Sequence, residues 1–217
     1  MYFKPAWFII QRNIYSKGLS VLKQHIIKAK PVDNFKQLIN QSVKLFGDKE
    51  AFIVKMKNGD APEYRHITYI EFKKEIDSLG TALANLGLVD VPIVLIGENR
   101  YEWCLGYLTA TCGGNVVVPI DKELKADEIA NLISRSEAKA IIFSGKISKV
   151  IEDIAKQSDV VEYLICMDDM EFDVEGKKCH TISHLIQEGQ KLLAEGDTRY
   201  VDVEIDSDKM SVLLFTS

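Results

Sequence analysis

From residue 91 onward the chain alternates short, unbroken apolar runs with amphipathic segments, and few folds accommodate that alternation. The apolar runs fall at residues 92–97, 115–118, 140–143 and 160–166, with helices expected at about 100–112, 126–136 and 146–157. Strands this apolar have no polar face to turn toward water, so the sheet they form must be covered on both sides. That is the property of parallel sheets built from strand–helix–strand crossovers. Because such crossovers are right-handed, the expected fold class is α/β, a doubly wound, mostly parallel sheet with flanking helices.

The segments before the sheet have a different character. Residues 1–30 read as helical and basic, ending at Lys30-Pro31. Residues 33–46 read as an amphipathic helix with Phe35, Leu38, Ile39 and Val43 on one side, stopped by Gly47. Two short strands, 51–56 and 63–68, flank Lys57-Asn58-Gly59-Asp60, and the Asn-Gly pair signals a small β-hairpin. Thr68-Tyr69-Ile70-Glu71 has the form of a capping box. Phe72, Ile76, Leu79, Leu83 and Leu86 then recur at helical spacing up to Gly87, and belong to the core rather than to a ligand box. Beyond the fourth apolar run the sequence predicts a polar loop at 168–178, a helix at about 181–194, an acidic linker and a terminal strand, Ser211-Val212-Leu213-Leu214-Phe215.

Charge divides the chain unevenly. The formal total of −5 resolves into +6 for residues 1–30, which contain no acid, and −11 for residues 31–217. A net acidic body argues against nucleic acid as a partner. The basic segment also holds Tyr2, Phe3, Trp7, Phe8 and Tyr15. Rings interleaved with cations suit peripheral contact with an anionic membrane surface; packing of those rings against the body of the protein is the favoured alternative. No apolar run near the start approaches the length of a membrane span or a signal peptide. Four cysteines without a Cys-x-x-Cys pair fit a reducing, cytoplasmic setting.

Cys166, Cys179, His180 and His184 lack the paired spacing of a structural zinc site, so no metal is expected there. Neither Gly145 nor Gly113-Gly114 completes a Gly-x-Gly-x-x-Gly fingerprint, which disfavours a dinucleotide-binding oxidoreductase. Glu98-Asn99-Arg100 follows the carboxyl end of the first parallel strand, where ligands of such sheets bind. For Asn99 the favoured role is a helix cap, with Glu102 closing the box; Arg100 is left open. Thr216 and Ser217 are two hydroxyls at the end of the terminal strand, where a phosphate-binding protein places a glycine-rich loop. The chain therefore reads as the front part of a larger enzyme, ending at the threshold of its nucleotide site.

The order of the segments resembles the amino-terminal part of adenylate-forming enzymes, and within them the long-chain fatty acid–CoA ligases. The opening Asn34-Phe35-Lys36-Gln37-Leu38-Ile39 through Lys44-Leu45-Phe46-Gly47-Asp48-Lys49 is similar to that family, as is Ile67-Thr68-Tyr69-Ile70-Glu71-Phe72. Glu98-Asn99-Arg100-Tyr101-Glu102-Trp103, Gly113-Gly114-Asn115-Val116-Val117-Val118-Pro119-Ile120 and Ser136-Glu137-Ala138-Lys139-Ala140 follow in the family's order. Leu214-Phe215-Thr216-Ser217 resembles the first half of its phosphate-binding signature. The resemblance covers residues 33–217 and leaves out residues 1–32 as a basic, aromatic amino-terminal segment.

What the resemblance implies is ATP- and Mg²⁺-dependent activation of a fatty acid. The carboxylate would attack the α-phosphate to give acyl-AMP and pyrophosphate, and coenzyme A would then take the acyl group. Thr216 and Ser217 would open the cradle for the ATP phosphates; no catalytic residue of the family is matched in these 217 residues, and they are expected to be inactive alone, without the missing carboxyl-terminal part. A fatty acyl-AMP ligase or another acid-activating relative would share these features. A non-catalytic module that binds membrane or a partner is the alternative from a different class.

Overall fold

The computed structural model describes residues 31–56 and 63–216. The expected helix at 1–30, the turn Lys57-Asn58-Gly59-Asp60 and Ser217 lie outside the described residues. From Asp33 onward the chain forms one compact unit. It opens with α1 (Phe35–Phe46), whose first turn is capped by the Asn34 side chain accepting from the Gln37 N–H at 2.9 Å. Strands β1 (Glu50–Met56) and β2 (Glu63–Thr68) pair antiparallel as expected. Thr68 then begins α2 (Tyr69–Asn85) with a complete capping box: its hydroxyl accepts from Glu71 N–H, and the Glu71 carboxylate accepts from Thr68 N–H at 2.8 Å. Helix α2 ends at Gly87, whose φ of +82° is a conformation that a side chain would strain.

The large sheet has β3 (Pro92–Ile96), β4 (Val116–Ile120), β5 (Ala140–Phe143), β6 (Tyr163–Cys166) and β7 (Lys178–Thr181) in the order β4-β3-β5-β6-β7, all parallel. Between them run α3 (Tyr101–Cys112), α4 (Ala126–Ser136) and α5 (Ser148–Lys156), and after them α6 (Ile182–Ala194) and the short α7 (Arg199–Asp202). Alternate side chains of each central strand enter separate cores. Ile93, Leu95, Ile142 and Ile165 join the core that holds Leu79 of α2, Leu105 of α3 and Leu185 of α6. Val94, Ile96, Ile141, Phe143 and Leu164 join the one that holds Ile129 and Ile133 of α4 and Ile151 of α5. Burial on both faces is why these strands are uniformly apolar in sequence.

Three expectations need correction. Residues 178–181, assigned to loop and helix start, form the fifth strand; at the sheet margin Lys178-Cys179-His180-Thr181 pairs on one side only and can stay polar. Residues 199–202, assigned to an acidic linker, form α7, anchored by the buried Tyr200. The terminal segment is not a buried strand. It lies beside β4 through a single parallel bridge, Val117–Val212, and Leu214 is 65% exposed. Apolar composition alone did not distinguish a central strand from this marginal one.

Candidate functional site

Sheet order decides where a site can form. The chain leaves β3 toward β4 on one side and then returns to add β5 on the other, so the two chain directions part between β3 and β5. In open α/β sheets the crevice beyond the carboxyl ends of the strands at such a point receives ligands. Four connections meet at that rim: Gly97-Glu98-Asn99-Arg100 after β3, Asp121-Lys122 after β4, Ser144-Gly145-Lys146 after β5, and Met167-Asp168 after β6.

These residues form a charged network. The Arg100 guanidinium contacts the carboxylates of Asp168 at 2.6 Å and Glu102 at 2.5 Å. The second Asp168 oxygen accepts from the Gly145 N–H at 2.8 Å. Asp168 thereby joins the connection after β6 to those after β3 and β5. Burial opposes the charge on Arg100, but the bonds to Asp168 and Glu102 outweigh it and hold its pKa above the ordinary guanidinium range. Glu98 meets Lys146 at 3.3 Å. Burial would raise the Glu98 pKa, yet Ser144, its own backbone N–H and Lys146 together draw it below the usual carboxylate range. Its Oε2 atom is buried without a hydrogen-bond partner. Beside it opens a cleft of about 420 Å³ between the ends of β3 and β4, with Trp103 and Lys122 in its wall. Trp103 stacks on Tyr107, which meets Phe35 edge-on, so the aromatic wall is braced by α1.

Two sequence assignments change here. Asn99 is exposed and is not the cap of α3; Arg100 occupies the N-cap position, and no side-chain hydrogen bond caps the helix. The Glu102 carboxylate that would have closed a box accepts instead from the Arg100 guanidinium. Asp168, placed in a featureless polar loop by sequence, is the link between the connections. The signal was its position two residues past β6, as Gly145 stands two past β5 and Arg100 four past β3. Thr216 is exposed. Carrying the Val117–Val212 register forward places it level with Asp121, just past the carboxyl end of β4. Cys166 is buried at the end of β6, Cys179 lies on β7, and the His180 and His184 rings stack 6.1 Å apart. Among the described residues no three His, Cys, Asp or Glu side chains converge as a metal site.

Comparison with known proteins places this geometry. The model of the AMP-binding enzyme family matches residues 39–217. Tyrocidine synthase 1 of Brevibacillus parabrevis is 25% identical over 126 residues, 58% of this chain and 11% of that protein. The D-alanine–D-alanyl carrier protein ligase of Streptococcus agalactiae is 26% identical over 88 residues, 40% of this chain and 17% of the relative. Among solved structures, coronafacic acid ligase from Pectobacterium brasiliense superposes with a TM-score of 0.67 at 19% identity, covering 84% of this chain and 33% of that one. The chain thus spans a third or less of the length of each of these three proteins. Its parallel sheet, its rim of polar connections and the match across residues 39–217 lead to one conclusion: the chain belongs to the AMP-binding enzyme family.

Proposed function

We propose that this chain is the amino-terminal part of an ATP-dependent acid–thiol ligase acting on long-chain fatty acids. The observation that supports the reading is the bridge of the terminal segment to β4 at Val117–Val212; carried forward, that register would bring Thr216 level with the carboxyl end of β4, where the family resemblance puts the opening of a phosphate-binding loop. There the Thr216 hydroxyl and N–H, with those of Ser217, would face the ATP phosphates. ATP with Mg²⁺ would supply the adenylyl group: the acid's carboxylate oxygen bonds to the α-phosphorus as pyrophosphate leaves, and the coenzyme A thiol later displaces AMP. The long-chain fatty acid specificity rests on the Glu98-Asn99-Arg100-x-Glu102-Trp103 resemblance. The carrier-protein ligase among the relatives supports a second reading, in which the acceptor is a carrier protein and the acid is smaller.

The test is pyrophosphate exchange into ATP by the full-length protein, offered palmitate or D-alanine, followed by transfer to coenzyme A or to a carrier protein. Exchange with palmitate and thioester formation on coenzyme A are expected. Thr216→Ala should slow exchange by about 100- to 1,000-fold, the scale of losing one preorganised donor to a charged transition state. Exchange with D-alanine alone would replace the fatty acid reading, and an unaffected Thr216→Ala enzyme would remove Thr216 from the site.

The same proposal places the enzyme in the cytoplasm, with peripheral contact of residues 1–30 at the inner face of the membrane as the alternative to their packing on the body of the protein. No described helix is long and apolar enough to cross a membrane. Six cations near an anionic surface contribute about 1 kcal/mol each at most. A membrane arm would give co-sedimentation with vesicles containing phosphatidylserine, lost at high salt or on deletion of residues 1–30; a packed segment would give none. Equal sedimentation with and without that segment would rule it out as the membrane contact.

A further inference from the structure

Lys36 stands on α1, away from the rim, yet its ammonium group is committed to a distant part of the chain. It donates to the carbonyl oxygens of Tyr200 at 3.0 Å and Val203 at 2.7 Å, and lies 5.8 Å from the centre of the Tyr200 ring. Those carbonyls belong to α7 and to its C-cap, where helix geometry leaves acceptors without partners. Tyr200 is itself fixed: its hydroxyl donates to the Thr109 carbonyl at 2.9 Å, and its ring fills space left by Gly80 and Gly113. Past Val203 the restraints thin out. Lys209 pairs with Asp90 in an exposed bridge at 3.0 Å, and the Asn34 amide reaches Ser207 at 3.4 Å. Such surface contacts hold a chain weakly. Lys209 N–H to the Asp206 carbonyl, 3.2 Å, closes only a local turn, and the next backbone bonds to another part of the chain are those of the Val212 bridge, Val117 N–H to Ser211 and Leu213 N–H to Val117, each 3.0 Å.

We propose that Lys36 is a positioning residue for the segment that carries Thr216: by bonding two carbonyls at the end of α7, it sets the direction in which residues 204–216 leave the helical layer and so aligns them beside β4. The clamp stands on its own geometry; its bearing on catalysis rests on the reading of Thr216 as part of the phosphate-binding loop. A lysine suits the task because one flexible donor group can serve two acceptors, and because its cation meets the negative end of the short helix. Burial, with Lys73 nearby, draws the Lys36 pKa down, while the carboxylates of Asp77 and Asp202 act to keep it charged.

Hydrogen exchange on the full-length protein tests the clamp. In Lys36→Met the amides of Val117 and Leu213 should exchange about tenfold faster, since their bonds depend on the alignment, while those of Leu95 and Ile142 in the central strands hold their protection. Lys36→Arg, which keeps a multiple donor, should restore slow exchange. In the pyrophosphate exchange assay Lys36→Met should raise the KM for ATP by about tenfold with a smaller change in kcat, the pattern of lost binding geometry. Unchanged exchange at Val117 and Leu213 overturns the proposal. Should Lys36→Met loosen the central strands as well, Lys36→Gln, which keeps a donor, is measured; equal loss at Leu95 and Ile142 there shows a role in global stability only and also overturns it. Faster exchange at Val117 and Leu213 with an unaltered KM for ATP supports the clamp and removes Thr216 from the phosphate site.

Discussion

Gly189→Ala is expected to lower the melting temperature by about 6–12 °C. Helices α2 and α6 touch backbone to backbone at this point: a Cβ on Gly189 would stand 1.8 Å from the Ser78 carbonyl oxygen and 2.5 Å from its carbon. No side chain can swing aside, so the helices must part, opening the contacts among Ile76, Leu79, Ile182 and Leu185. Overpacking of a dense core costs about 1–3 kcal/mol and occasionally more. Displacement of two main chains falls at the upper end, about 3 kcal/mol, which for a domain of this size corresponds to about 2–4 °C per kcal/mol. The sign is informative, because helix propensity alone favours alanine over glycine by about 1 kcal/mol. Thermal unfolding followed by circular dichroism decides it. A melting temperature that rises, as propensity demands, would show that the two helices do not meet this closely.

Tyr200→Ala should be at least as damaging, at about 3–5 kcal/mol, the range for deleting a buried aromatic ring. The Tyr200 side chain is buried, and burial pushes its phenol pKa well above the ordinary value. It occupies a slot between α2 and α3 made by two missing side chains: a Cβ at Gly80 would stand 2.1 Å from the ring, and one at Gly113 would stand 2.6 Å away. Removing the ring leaves a cavity lined by glycines, which the neighbouring backbones cannot collapse to fill. Tyr200→Phe is the control. It removes only the hydroxyl bond to Thr109, about 1 kcal/mol, and so should leave most of the stability in place. Urea unfolding of the two variants measures the difference; equal losses would mean that the hydroxyl rather than the ring carries the anchoring.

The two glycines also explain why α7 was illegible in sequence. Arg199-Tyr200-Val201-Asp202 is one turn long, too short to show a helical period, and its only strong feature is a tyrosine whose acceptor lies 91 residues earlier. Nothing local marks Gly80 or Gly113 as the walls of a slot for it. The Arg100–Asp168 pair, 68 residues apart, was hidden in the same way. Each of the two looked like an ordinary polar residue following a strand, and only the sheet order brings the connections after β3 and β6 to a common rim beside that of β5.

The sequence by itself determined most of the elements and the buried faces of the central strands and of α2. Unbroken apolar runs specified strands covered on both sides, the Thr68–Glu71 box specified the start of α2, and the order of segments pointed to the adenylate-forming family. All of these are local, written within a helix turn or a strand length, where side-chain spacing and hydrogen-bonding groups act directly on the backbone. Only the tertiary structure decided which face meets which. It put polar Lys178-Cys179-His180-Thr181 at the sheet margin, left the apolar Leu214 exposed beside β4, and turned Glu102 from a cap into a partner for Arg100. The hydrophobic effect is non-directional and fixes how much surface is buried; the choice of neighbour comes from close packing and hydrogen-bond geometry between residues far apart in the chain.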